Sequence, residues 1–351
     1  MYRDNPIHIS MKVLILIVIF LILLMIQGCD IKEIKRDRFY NRGNRALEKQ
    51  EYHEAIRFYD EALSIDPAYA KAWNNKGVAL SKLNQFKDAI ISLDNAIIQD
   101  PDLVSAYFNR ADSYIRIGNY NMALNDLEIV ELYLPDTSTV HFLKGECYYY
   151  QKKYEKGIQS FLNALKDDEY NEEILINLAI IYMDTDQLSE AEALLKEASI
   201  MNIDNPDIYN VWSMLSYKRE EFDEALKYID RALAVYPENA FYLNNKGYIL
   251  LEVDRNEDAL ELINRSIETD PGNKLAYRNK GIYFLKTGRN ENAKRLLQRA
   301  YEMDPELEDI NYFLGLTVLN LSDKEKACTY FKKSMDLGEL KGSEAYKKYC
   351  Q

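Results

Sequence analysis

The chain has 351 residues and a formal net charge of −13 at pH 7, and 47% of it is hydrophobic. Residues 1–28 hold Arg3 and Lys12 against Asp4, a net +1, so the remainder stands at −13 minus +1, or −14. Such acidity argues against nucleic-acid binding, which rests on clustered Lys and Arg; a basic partner is allowed but not required.

In chain order, Met11-Lys12 opens an uncharged apolar run from Val13 to Ile26, followed by Gln27-Gly28-Cys29. A positive start, a short apolar core and a small residue before the cut describe a secretory signal peptide, since a spanning helix needs about 20 apolar residues. With cysteine at the cut, the segment resembles the lipobox of bacterial lipoproteins. That resemblance implies cleavage by signal peptidase II before Cys29 and acylation of Cys29 by diacylglycerol, usually with an N-acyl chain. Two departures stand against it: Gln27 sits where a small residue is usual, and Ile26 where leucine is commoner. The other reading is an uncleaved short membrane anchor. The expected organisation is a signal peptide at 1–28, with Met11 as its working start, and a lipidated tether at 29–35. Each buried methylene adds about 0.8 kcal/mol, so two or three chains would hold the protein on a membrane of the cell envelope, inner or outer.

From Arg36 a 34-residue period runs nine times, to Lys341, without insertion or deletion. Three columns are small. Position 8 reads Gly43, Gly77, Ala111, Gly145, Ala179, Ser213, Gly247, Gly281 and Gly315; position 20 is alanine except at Gly157; position 27 is Ala, Ser or Val. Position 32 is proline in six repeats, Pro67, Pro101, Pro135, Pro237, Pro271 and Pro305. Bulky apolar residues recur at position 4 (Phe39, Trp73, Tyr107) and position 24 (Tyr59, Leu93, Phe161). A glycine inside a helix costs about 1 kcal/mol relative to alanine, so its recurrence at position 8 predicts a close approach by a facing helix. Proline breaks each repeat from the next.

This pattern resembles the tetratricopeptide repeat family, whose unit is a helix, a turn and a second helix. The resemblance implies an all-α fold, a right-handed superhelical solenoid of nine helix-turn-helix repeats at 36–341, with residues 342–351 as a capping helix. Stability then comes from nearest-neighbour interfaces.

Chemistry is scarce. The three histidines are His8, His53 and His141, the last at position 4, a seam site. No Gly-rich phosphate loop, His-Glu-x-x-His or Cys-x-x-Cys occurs, so neither an enzyme nor a cofactor or metal is expected. Cys147 reads as a buried apolar filler. Cys328 and Cys350 are either a disulfide fastening the open end or two free thiols.

In the family, positions 2, 5, 6, 9, 12 and 13 of the first helix line the concave surface that holds partners. Position 6 is asparagine in six repeats, Asn41, Asn75, Asn109, Asn177, Asn245 and Asn279. An amide offers a donor and an acceptor, so the column can pair with the backbone of an extended peptide. It resembles the asparagine ladder in the repeat domain of O-GlcNAc transferase, although asparagine at this position is also common across the family. Beside it runs an apolar and aromatic wall: Phe108, Phe142, Tyr149, Tyr150, Ile176, Ile180 and Met183, then Met214, Tyr217, Phe241 and Tyr248. Such a wall marks an interaction surface, for a partner or for self-association. The charge clamp by which some members hold a chaperone's carboxylate tail is not matched, since Tyr40 replaces its lysine. The sequence therefore predicts a membrane-tethered adaptor or scaffold that holds a peptide or helix of another protein, with a holdase for unfolded exported chains as the alternative.

Overall fold

The computed structural model describes residues 31–134 and 137–351. The signal segment and Cys29 lie outside them. The described residues hold nineteen helices and no strand, and they divide between Glu169 and Tyr170 into two compact halves. That division falls at position 32 of the fourth repeat, where glutamate replaces proline.

In the first half, α1 covers residues 31–48, followed by α2 (Tyr52–Ile65), α3 (Ala70–Lys82), α4 (Phe86–Gln99), α5 (Val104–Arg116), α6 (Tyr120–Tyr133), α7 (Ser138–Tyr150) and α8 (Tyr154–Asp167). The second half runs through α9 (Glu172–Asp184), α10 (Leu188–Met201), α11 (Pro206–Lys218), α12 (Phe222–Val235), α13 (Ala240–Glu252) and α14 (Asn256–Thr269). It ends with α15 (Lys274–Lys286), α16 (Asn290–Met303), α17 (Ile310–Asn320), α18 (Lys324–Asp336) and α19 (Leu340–Cys350). Within each half every helix packs on the next, and first helices of neighbouring repeats also touch, as α3 does α5 and α11 does α13.

The turn inside each repeat has one geometry throughout. Position 15 is left-handed in all nine repeats (Gln50, Asn84, Gly118, Lys152, Asp186, Glu220, Asp254, Gly288, Ser322), with φ from +57° to +76°. Two backbone bonds close it: in the second repeat Asn84 N–H donates to Ser81 O (2.9 Å) and Gln85 N–H to Leu80 O (3.0 Å), and the same pair recurs in every repeat. This satisfies two carbonyls that a helix end would otherwise leave open. It holds even though the left-handed conformation costs a non-glycine residue roughly 1–2 kcal/mol.

The small column at position 8 faces position 24 of its own repeat. A Cβ added to Gly43 would lie 2.5 Å from the Tyr59 ring, one at Gly145 2.7 Å from Phe161, and one at Gly315 2.4 Å from Phe331. All three repeats with an aromatic at position 24 carry glycine at 8, whereas Ala111 and Ala179 face Leu127 and Leu195. The close approach predicted from sequence is thus made by a side chain of the second helix. Where serine occupies the column, Ser213 Oγ donates to Ala225 O at 2.8 Å, linking position 8 to position 20.

At three junctions the position-4 side chain bonds the position-32 carbonyl of the preceding repeat. Trp73 Nε1 donates to Pro67 O (2.9 Å), Asn311 Nδ2 to Pro305 O (3.2 Å), and the Tyr209 hydroxyl to Ile203 O. The carbonyl is therefore used even where proline is missing. His141, at the same position, lies 3.6 Å from Glu131, which also binds Lys144 at 2.7 Å.

Two boundaries differ from those read in the sequence. Residues 31–35, expected as tether, are helical and continue α1. The stretch has no glycine or proline, and Arg36 anchors it by pairing with Asp66 (2.9 Å) and lying over Tyr69 (4.3 Å). The cap starts at Leu340, two residues before the expected 342, because left-handed Gly338 ends α18 early. Gly342 lies so close to α18 that an added Cβ would fall 2.0 Å from Ser334 Oγ. Tyr349 stacks on Phe331 (5.9 Å between centroids), and Cys328 and Cys350 are in disulfide contact with Cα atoms 5.7 Å apart. Cys147 is buried, which pushes its thiol up to about 12.

Candidate partner-binding cleft

In the second half, the first helices of successive repeats bring the groove positions together. Tyr217 (position 12, α11) and Tyr248 (position 9, α13) meet with ring centroids 5.3 Å apart at 44°. With Met214, Ile249 and Leu275 they form the apolar floor of a cleft of about 250 Å³. This is below the roughly 300–1,000 Å³ of ordinary small-molecule sites, and it suits side chains of a partner better than a whole ligand. Burial, then the neighbouring Tyr248, raises the Tyr217 hydroxyl far above its ordinary range. That phenol stays a neutral donor.

Polar groups ring the floor. Arg278, only 6% exposed, donates Nε to Asn279 Oδ1 (3.2 Å) and Nη1 to Glu308 O (2.9 Å), with its guanidinium 5.4 Å from the Tyr248 centroid. Lys341 reaches in from the cap and donates to Asp309 at 2.6 Å. Burial pulls its ammonium down, but the bond and charge of Asp309 outweigh that and leave it raised. At the other end Lys218 faces Asp184 at 3.8 Å. Arg278 was not singled out from sequence, although it is the only charged residue in the position-5 column.

The asparagine column serves the stack. Nδ2 of position 6 donates to the position-5 oxygen of the preceding repeat: Asn75 to Tyr40 Oη (3.1 Å), Asn109 to Asn74 (2.9 Å), Asn245 to Asn210 (2.9 Å), Asn279 to Asn244 (2.8 Å). Asn75 also donates to Asn44 at 2.9 Å. Position 5 returns the bond inside its repeat, Asn74 to Asn75 (2.9 Å) and Asn244 to Asn245 (3.2 Å). Asn279 is fully buried. Asn177 instead donates to Glu173 O of its own helix (2.8 Å), and Asn41, in the first repeat, is exposed. Asn75, Asn109, Asn245 and Asn279 each commit a hydrogen to the preceding repeat, which leaves each of them at most one for a partner.

The other predicted aromatics are distributed differently. Phe108 and Asn109 line a shallow depression in the first half with Val78, Ser81 and Arg116. Phe142 packs on Phe161 (5.5 Å). Tyr150, 55% exposed, stacks on Tyr120 (5.2 Å, 9°) and meets Tyr149 at 5.3 Å. Of the α9 residues read as groove, Ile176 and Ile180 line a surface depression with Asn177, whereas Met183 is buried at 1% exposure. Phe241 is exposed. Among the described residues no cluster of His, Cys, Asp or Glu is arranged to hold a metal, and no helix is long and apolar enough to cross a membrane.

Comparison with known proteins follows the repeats. Residues 43–84 match a family model described as TPR repeat, and residues 148–211, 213–274 and 278–338 match models described as tetratricopeptide repeat. Residues 82–164 match the model for subunit 3 of the anaphase-promoting complex, or cyclosome. No curated protein matches. Among solved structures, the APC/C hetero-tetramer Cut9-Hcn1 is 13% identical and covers 90% of this chain and 76% of its own, with a TM-score of 0.59. MamA (residues 41 to the end) from Desulfovibrio magneticus RS-1 is 22% identical over 48% of this chain and 94% of its own, with a TM-score of 0.46.

Proposed function

The chain belongs to the tetratricopeptide repeat family, and from that premise we propose that it is a non-enzymatic scaffold, tethered by lipid at Cys29, that holds a segment of another cell-envelope protein in the second-half cleft. The observation that carries this reading is the juxtaposition of Tyr217 and Tyr248 over an apolar floor, edged by the buried Arg278. Paired aromatics in a partly desolvated pocket are the kind of anchor that dominates protein–protein binding. Arg278 supplies a fixed cation, and its position over Tyr248 keeps the guanidinium from drifting into solvent.

The anchor half of the reading rests on the apolar run ending at Cys29 and is tested there. Cys29→Ser is expected to abolish metabolic labelling by a fatty acid and leave a precursor; label retained on the Ser variant refutes lipidation. The binding half is tested by a photo-crosslinking side chain at Tyr217, with a second one at Ile98, a strongly exposed residue of α4, as control. A scaffold gives one dominant, saturable product from Tyr217, weakened by Tyr248→Ala by about 2 kcal/mol or more. A ladder of many unrelated products would favour the holdase, and equal products from Tyr217 and Ile98 would remove the cleft as the site.

A further inference from the structure

Position 7 carries a cation in six repeats: Arg42, Lys76, Arg110, Lys144, Lys246 and Lys280. Five of these follow another repeat, and four of the five meet a carboxylate at one of three sequence offsets. Lys76, Arg110 and Lys246 reach back sixteen residues, to Asp60 (2.6 Å), Asp94 (2.5 Å) and Asp230 (2.6 Å). Arg110 also reaches forward sixteen to Asp126 (2.7 Å), and Lys144 reaches back thirteen to Glu131 (2.7 Å). At Lys280 those same offsets hold Asn264, Leu296 and Ile267. None can neutralise an ammonium.

The consequences are visible around it. Asn264, standing where other repeats place the acid, has its Oδ1 buried without a hydrogen-bond partner. Lys280 opens into a surface pocket walled by Ile267, Tyr277 and Leu296, with Arg295 and Arg299 on its rim and Glu302 as its one carboxylate. Three cations against one anion give +2 at this spot in a chain of −13. Glu302 is turned toward Gln298 (3.3 Å), and the Arg299 guanidinium is set over Tyr277, 4.1 Å from its centroid. Burial, then Arg295, pulls the Lys280 ammonium below its usual range, against a smaller opposing pull from Glu268. Bound negative charge would reverse that pull.

We propose that this pocket takes a phosphate-type oxyanion between Lys280, Arg295 and Arg299, a ligand occupying the place that a carboxylate of the chain fills in the other repeats. One or two negative charges on the phosphate offset the +2 in part or in full, and its oxygens offer acceptors to the cationic heads, with guanidinium forks suited to the geometry. The pocket shares no residue with the partner cleft. The same group could be free phosphate or a phospholipid head group, and the test separates them.

The full chain, in zwitterionic detergent, is acylated with a trace amine reagent, and the modification of Lys280 is compared by mass spectrometry with that of Lys246, which Asp230 holds. Inorganic pyrophosphate is expected to slow labelling of Lys280 and leave Lys246 unchanged. Asn264→Asp restores the internal acid at nearly constant volume, and it should weaken that protection about tenfold, as should Arg295→Gln, a factor equivalent to about 1.4 kcal/mol. Vesicles of phosphatidylglycerol, against phosphatidylcholine alone, report a head-group source if they protect Lys280 where pyrophosphate does not. Absence of selective protection by both, or protection unchanged in folded Asn264→Asp, overturns the proposal.

Discussion

Gly145→Ala and Gly281→Ala should move stability in opposite directions, although both replace glycine by the best helix former at the same repeat position. The helix gain is about 1 kcal/mol in each. At Gly145 the new Cβ would lie 2.7, 2.8 and 2.8 Å from three atoms of the Phe161 ring, which is 1% exposed and packs on Phe142. Carbon contacts settle at about 3.5–4.0 Å, so the ring must retreat by about 1 Å into filled space. Overpacking of this kind costs about 1–3 kcal/mol, leaving a net loss of roughly 0–2 kcal/mol. At Gly281 the Cβ meets Leu297 Cγ at 2.6 Å. Leucine can change rotamer, and the chain already accommodates Ala111 over Leu127 and Ala179 over Leu195, all fully buried. A net gain of up to about 1 kcal/mol is expected there. Adding Phe161→Leu to Gly145→Ala should recover most of the loss, a coupling well above the roughly 0.3–0.5 kcal/mol seen for independent sites. Native-state hydrogen exchange of the α7–α8 and α15–α16 amides is the suitable readout, because a repeat array need not unfold in one step. Equal shifts of one sign in both variants, or no coupling to Phe161, would refute the packing argument.

Glu220→Gly removes the strain of a left-handed residue at position 15 and should stabilise by about 0.5–1 kcal/mol in urea unfolding, whereas Glu220→Val should destabilise; the reverse order would contradict the turn geometry. If Cys328 and Cys350 are bonded in the isolated protein, non-reducing peptide mapping yields their joined fragments. Reduction then speeds exchange in α19 before any other helix, since a terminal element has one neighbour; two alkylatable thiols in unreduced protein would dismiss the bond. Hydrogen bonds from Lys196 and then Arg219 lower the Glu192 carboxyl from 4.5 to about 2. Its folded value lies below the unfolded one, so the stability it contributes is present above about 4.5 and lost as pH falls toward 2. An NMR titration should place its midpoint near 2 and move it upward in Arg219→Gln; a midpoint near 4.5 in the unaltered chain would contradict the pairing.

Period, helix pairing and the interior columns were legible in the sequence because each is a local demand repeated nine times. A glycine at position 8 records a close approach every time it occurs, and alanine at position 20 or 27 is fully buried wherever it stands. The left-handed turn at position 15 was not legible. It asks only for backbone tolerance at an exposed corner, and just Gly118 and Gly288 advertise it among Gln, Asn, Lys, Asp, Glu and Ser. Met183 of α9 misled for a related reason: it fits a groove or a core equally well by spacing, and only the packing of neighbouring helices chooses.

The amino-acid sequence by itself determined that this protein is a stack of helix pairs and that asparagine and tyrosine recur on its first helices. Tertiary structure decided what those residues do. Whether the amide of Asn279 faces a ligand or a neighbour depends on Asn244, thirty-five residues earlier, 2.8 Å away across a repeat junction. Whether Lys280 is neutralised depends on three residues at offsets that no local pattern announces. The physical reason is common to both: polar and charged groups take their role from the nearest partner of matching chemistry, and in a solenoid that partner belongs to the adjacent repeat.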